Sequence, residues 1–363
     1  MRAEFTIAKK EIKDYFTSKR FLAIVAILFL LSTYSIIIGL NDYNTTLTAY
    51  KKAQVEVKNS DVYSQIMSSF AAKIADAEAR NAQEEVAMWK GLMDSTENQP
   101  MPSILMVFSY FNQYFIFLGI ALSIIIGFDA ITKEKEEGTF KALLSHPFYR
   151  DSIINGKVIG ATIVLLIVLA IVFLLTISIL IINNVIPTTD EIYRIFTSYL
   201  LTVLFCVLFF SLAVVGSAFA KNSSTALTYL LGVVLLIYVY TQLTTPIVAY
   251  IMGPEPMSKD LLNSSITDTN TNNLIYDTKI VDYWNKYNLC SQIINMISPV
   301  YNYQVISTAL VTNTITDMDS YRYIGINVLD ALSYVTINIF ALIVEIFVTF
   351  AIAYVKFMRM DIR

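Results

Sequence analysis

EKEEGTFKALLSHPFYRDSIINGK, residues 134–157, is a polar stretch of 24 residues between two apolar runs, 104–128 and 158–182, that contain no Asp, Glu, Lys or Arg. A bilayer core of roughly 30 Å needs about 20 apolar residues in a helix, so each run is long enough to cross a membrane and the stretch between them lies at a membrane face. Working outward, four further windows reach that length: 21–40, 196–219, 227–249 and 329–355. The first three of these also lack charge, while the last holds Asp330 near its start and Glu345 inside. The composition agrees, since 363 residues with 56% hydrophobic and 15% charged side chains and a mean hydropathy of +0.58 are too apolar for a soluble globular chain. The fold class that follows is an all-α integral membrane protein with six transmembrane helices.

Basic residues set the orientation. Residues 1–20, 129–157, 220–226 and 356–363 hold 15 of the 26 Lys and Arg, and the far longer segments on the other side hold 11. By the positive-inside rule both termini are cytoplasmic, in a multi-pass protein of the cell membrane. No small-residue cleavage pattern follows the first window, which reads as a retained anchor. The chain divides into a cytoplasmic helix (1–20), span 1 (21–40), an extracytoplasmic region (41–103), span 2 (104–128), the cytoplasmic segment 129–157, spans 3 to 5 (158–249), a second extracytoplasmic region (250–327), span 6 (328–355) and a cytoplasmic tail (356–363).

Periodicity fills in the segments between spans. Phe5, Ala8, Ile12 and Phe16 fall on one side of a helix and Lys9, Lys10 and Lys13 on another, which suits an amphipathic helix lying in the interface. In the first outside region Tyr63, Ile66, Phe70, Ile74 and Ala77 recur at helical spacing, as do Val86, Trp89 and Met93, predicting a helical cap that packs on itself or on a second subunit. In the second, residues 289–311 form two short apolar helical stretches split by Ser298 and Pro299, each too short to cross, as in a re-entrant pair. Glu345, inside span 6, is expected to face protein or water, either as a carboxyl hydrogen-bonded to a neighbouring polar side chain or as a candidate intramembrane polar site for a cation or a proton.

Several chemistries are excluded. Phosphate-loop and zinc signatures are missing, and the single His146 supplies neither a His-based metal site nor a pair of catalytic imidazoles. No metal and no catalytic residue is therefore assigned. A net charge of -3 offers no basic stripe for nucleic acid. Cys206 falls in mid-span and Cys290 outside, at different depths, so no disulfide is expected.

What remains is residues 134–157. Gly138 suits the close of the helix descending from span 2, Thr139 suits a new cap, and Phe140, Leu143 and Leu144 then share one face before Pro147 ends it. Asp151 or Ser152 suits the cap of the next helix, while Arg150 and Lys157 suit the headgroup level. This is an apolar tip on a charged stalk, the usual mark of a partner site.

Glu136, Gly138, Thr139, Leu143, Leu144, Pro147, Arg150, Ile153, Gly156 and Lys157 together resemble the E-x-G-T-x-x-x-L-L-x-x-P-x-x-R-x-x-[IL]-x-x-G-K run of permease subunits of the ABC-2-type exporters. Residues 8–21 are similar to that family's elbow helix, and residues 296–304 to its re-entrant segment. The resemblance implies a permease subunit that works as a homodimer or heterodimer in an exporter. The cytoplasmic segment would then be a coupling helix docking on a separate ABC ATPase. It implies that the chain is not itself an enzyme and holds no cofactor, ATP and Mg belonging to the partner. Phe140, Leu143 and Leu144 would make the contact, and Glu134, Glu136 and Glu137 would set register or pair with basic residues on the ATPase. The alternative is a non-transporting scaffold or receptor subunit that binds an extracytoplasmic partner. The cargo is not legible in the sequence.

Overall fold

The computed structural model describes residues 2–58, 60–97, 101–138, 150–254, 278–312, 314–316 and 323–360. Among them six helices are long and apolar enough to cross a membrane. The all-α expectation holds, with one small addition: β1 (Thr314–Thr316) and β2 (Tyr323–Gly325) pair antiparallel, with Ile315 opposite Ile324. Such short β-branched and aromatic runs were too brief to register as strands in the sequence.

The amphipathic helix predicted at the amino terminus is α1 (Arg2–Thr17), but its apolar arc is rotated from the expected one. Ile7, Ala8 and Glu11 are buried with Ile12 and Tyr15 at their edge, whereas Phe5 and Phe16 are 60% and 39% exposed. The cause is the partner surface. Gly156 on the third long helix has no Cβ, and one placed there would come within 2.8 Å of the Ile7 Cβ. The two helices therefore cross with backbones nearly touching, and the phenylalanines are left for an apolar medium.

The first spanning helix, α2 (Lys19–Lys58), does not stop at residue 40. Residues 41–58 contain neither Gly nor Pro, and the Thr45 and Thr48 hydroxyls donate back to the Asn41 and Asn44 carbonyls at 2.8 and 2.7 Å. At 1.5 Å per residue these 18 residues carry the helix roughly 27 Å past its apolar part. The predicted cap follows as an antiparallel pair, α3 (Asp61–Ala79) and α4 (Gln83–Glu97). Phe70 meets Trp89 with ring centroids 6.2 Å apart, Lys73 lies 3.9 Å above the Trp89 ring, and Lys90 bonds Glu78 at 2.8 Å. The cap thus packs on itself.

The centre of the bundle is α5 (Met106–Gly127), followed by the short α6 (Thr132–Glu136). Three long helices come next: α7 (Arg150–Ile182), α8 (Thr189–Phe219) and α9 (Ser223–Met252). Helix α7 already runs through Asp151 and Ser152, so neither is its cap. Helix α8 starts seven residues before the apolar window, because Thr188 and Glu191 form a capping box, with Glu191 Oε2 accepting from the Thr188 amide at 2.8 Å. The Ser-Pro break falls where expected. Helix α10 (Thr278–Asn295) ends before it, and Ser298 caps α11 (Pro299–Val311).

The sixth span needs correcting at its start. Residues 328–334 form a separate helix, α12 (Val328–Tyr334), and the spanning helix is α13 (Thr336–Met358). Asp330 is exposed on α12, where it accepts from the Asn327 amide at 3.3 Å as a capping box. The join is tightened at Val335, whose amide reaches only Leu332 at 3.2 Å. The core is aromatic at the level of α5, α7 and α8: Phe111 stacks on Phe115 at 5.2 Å and meets Phe173 edge-on at 5.5 Å. Cys206 and Cys290 are both free.

Candidate functional site

The predicted coupling segment leaves from a base that is tied into the bundle. Where α5 gives way to α6, the Ile131 and Thr132 amides both donate to Ser217 Oγ, at 3.0 and 3.1 Å. Glu134, expected at a partner's rim, is 6% exposed. Its Oε1 is 2.9 Å from Lys157 Nζ, which lies 2.8 Å from Glu11 Oε1. Lys157 is likewise buried, enclosed by protein. Laying α1 across α7 carries Glu11 onto Lys157, and two charge-assisted contacts then offset the desolvation of the ammonium. Beside the triad, the Tyr15 hydroxyl donates to the Ile126 carbonyl at 2.9 Å. Burial first, then the charges of Glu11 and Asp129, push that phenol well above its ordinary range.

The other carboxylates divide. Glu136 is exposed but engaged within the chain: Oε1 accepts from the Ser223 amide and Oε2 from the Ser223 hydroxyl, each at 2.8 Å, which caps α9 from outside the helix. Glu137 is exposed and borders a charged pocket of about 470 Å³ shared with Lys10, Asp14, Arg20 and Lys133. Gly138 has φ +67°, the left-handed conformation expected of a closing glycine. Arg150 donates from Nη1 to the Met358 and Met360 carbonyls at 3.2 and 3.1 Å, tying the start of α7 to the end of α13. Thr139, Phe140, Leu143, Leu144 and Pro147 lie outside the described residues, as does His146.

In the middle of the bundle, Glu345 meets protein. Its Oε1 accepts from Asn302 Nδ2 at 3.3 Å, and Oε2 is buried without a hydrogen-bond partner. Asn302 also donates to the Met296 carbonyl at 2.8 Å and accepts from Asn338 Nδ2 at 3.0 Å, so the amides pin the α10–α11 break to α13.

A cavity of about 900 Å³ opens between α5, α9 and α11, with Phe209 of α8 in its wall. Ile116, Phe117, Leu231 and Val234 make it apolar, Gln113, Thr241 and Gln304 add neutral polar groups, and no Asp, Glu, Lys or Arg lines it. Asn112 lines it too. That side chain is 6% exposed, and neither its Nδ2 nor its Oδ1 has a partner. The sequence reading passed over it, although a lone Asn-Gln pair inside an apolar window was the available signal.

With these arrangements in view, the comparison with known families is decisive, because a family model described as ABC-2 family transporter protein matches residues 5–362. The chain belongs to the ABC-2 family. Among curated proteins none matches it significantly. As an ABC-2 family transporter protein it is a membrane permease component, which accords with its six apolar helices.

One residue of this ABC-2 protein went unnoticed in the sequence. Arg194 lies just before the apolar window 196–219, yet its side chain is fully buried. Nε meets Asp190 Oδ2 at 2.6 Å, Nη1 donates to the Leu310 and Thr312 carbonyls at 3.2 and 2.8 Å, and Nη2 donates to the Ile326 carbonyl. It closes the end of the bundle opposite the Lys157 triad, and only its long-range partners reveal this.

Proposed function

We propose that the chain is the membrane-spanning subunit of an ATP-binding cassette exporter, powered by a separate ATPase that docks on residues 139–149. Both termini and that segment are cytoplasmic in this reading, following the basic-residue bias. The observation that carries it is the anchoring on either side of the segment. Glu134 is wired to α1 and α7, Glu136 to α9, and Arg150 to α13. A displacement of the tip is thus passed to several helices at once, as a rigid-body repacking requires. The chain hydrolyses nothing itself, and ATP and Mg belong to the partner. A dimer, with a second copy or a related permease, suits α9, which has only 11% of its apolar window buried.

The test is Leu143→Asp in the full chain co-expressed with its ATPase. Burying Phe140, Leu143 and Leu144 at an interface contributes ~1.5–3 kcal/mol each, so a charge there should abolish co-purification while leaving membrane insertion intact. Undiminished ATPase binding by a Phe140, Leu143, Leu144 triple-Asp variant would overturn the reading. A chain that then co-purified with an outside partner alone would be the scaffold.

A further inference from the structure

We propose that the cavity between α5, α9 and α11 takes a neutral, largely apolar molecule that presents a hydrogen-bond acceptor and donor side by side, as an amide does. Asn112 would read that pair, its Nδ2 donating to the ligand's carbonyl and its Oδ1 accepting from the ligand's N–H. The inference rests on the exporter reading for calling this molecule cargo, and on the geometry of the cavity for the rest.

Three observations carry it. First, a buried amide with both donor and acceptor unpaired is costly, and buried polar groups in folded proteins are normally satisfied. Asn112 is 94% buried, taken from its 6% exposure, and both its polar atoms lack a partner. Second, the side chain lines a cavity of about 900 Å³, at the upper end of the size that holds a drug-sized ligand. Third, the lining combines Ile116, Leu231 and Val234 with neutral Gln113 and Gln304 and contains no charged residue. An ionised ligand would lose its hydration there with nothing to replace it. An alkyl chain alone would satisfy the walls and leave Asn112 unpaired. The remaining class is a neutral molecule with an amide-like group.

The experiment uses the purified full chain in phosphatidylcholine nanodiscs and two fluorescent probes of matched shape, 1-pyrenebutyramide and methyl 1-pyrenebutyrate. The ester keeps the acceptor and lacks the donor. The wild type is expected to bind the amide about tenfold more tightly than the ester, the effect of one unpaired buried group. Asn112→Leu should abolish that preference, since the amide then loses both hydrogen bonds and the ester only the one to its carbonyl. That variant removes an unpaired buried amide, so its unfolding temperature should hold or rise. Val234→Trp, which fills the cavity, should weaken both probes. Equal binding of the two probes by the wild type, or a preference that survives in Asn112→Leu, would overturn the proposal and assign the amide to water or lipid. Loss of the amide signal when ceramide is added to the nanodiscs would identify a lipid as the source of the amide. Its persistence would identify a molecule that enters from water. No ATPase is present, so a preference that survives while the Leu143→Asp test fails would leave the cavity standing and sink the exporter reading.

Discussion

The ends of this bundle set buried cations against acceptors of the same chain, whereas its middle leaves an amide with no partner on either polar atom. At one end Lys157 lies between Glu11 and Glu134, and at the other Arg194 has every nitrogen engaged. These are ions, the most expensive groups to bury, and both cations are paired within the chain, with Glu134 Oε2 the one triad oxygen left without a partner. In the middle the buried polar groups are mostly neutral and cheaper, yet Asn112 and one oxygen of Glu345 have no partner at all. A paired ion fixes two elements in one arrangement. An unpaired amide on a cavity wall is satisfied only by something that enters. The difference separates a frame, which must not move internally, from a lumen whose contents change.

The comparison is broken most directly at the frame. Lys157→Met is expected to cost about 3–5 kcal/mol, because it leaves two buried carboxylates side by side with only the half-exposed Lys10, 4.0 Å from Glu134 Oε1, as a counter-ion. Thermal unfolding in detergent would read this, and so would loss of membrane expression. A variant as stable as the wild type would mean that water reaches the triad freely and that the end is not a frame. Arg194→Met is expected to cost less, about 2–3 kcal/mol, since Asp190 is 40% exposed and can turn to water while three carbonyls lose a charged donor. Its signature should be local. Hydrogen exchange should rise at residues 310–312 and 326–328 and stay unchanged around Lys157.

These two ions also show where sequence reading succeeds and stops. All six spans were legible because hydropathy over about 20 residues is a local property, and the Ser298–Pro299 break was legible because cap and proline are adjacent. Helix α2 overran its window because hydropathy marks the membrane and says nothing about where a Gly-free, Pro-free helix ends. The start of α13 was missed because Val335 and Thr336 break a helix without any apolar interruption. Glu134 and Lys157 looked like stalk charges, since Glu11, 146 residues from Lys157, is invisible to any window. The same holds for Arg194 and its carbonyls at 310 and 326. Glu345 declared itself, because an acid in an apolar run is locally odd. Asn112 was equally local and was passed over for being uncharged.

A smaller effect sharpens the boundary between frame and joint. Glu136→Gln keeps one acceptor for Ser223 and loses the charge at the start of α9, so the expected effect is small and local for an exposed group. Fraying of residues 223–226 by hydrogen exchange would accompany it. Loss of ATPase binding with no fraying would instead assign Glu136 to the partner, against its two contacts to Ser223.

The smallest expected effect is in the middle. Glu345→Gln keeps an oxygen to accept from Asn302 and places an NH2 group where the unpaired Oε2 lies, so it exchanges one unsatisfied atom for another of similar size. The change in stability should be under about 1 kcal/mol. A charge at the centre of a span costs at least ~2.5 kcal/mol on insertion scales, so a stabilisation of that order in the Gln variant would mean that an ion had been held there. The middle would then store charge as the ends do, without their pairing, and the division between frame and lumen would fail at this residue. Transport settles which reading of Glu345 survives. If the Gln variant is as stable as the wild type and transports at the wild-type rate over the whole pH range, the carboxyl only holds Asn302 and the α10–α11 break in place. If stability is unchanged but the pH profile flattens, the same carboxyl exchanges a proton or a cation during the cycle, and the unpaired Oε2 marks where it binds.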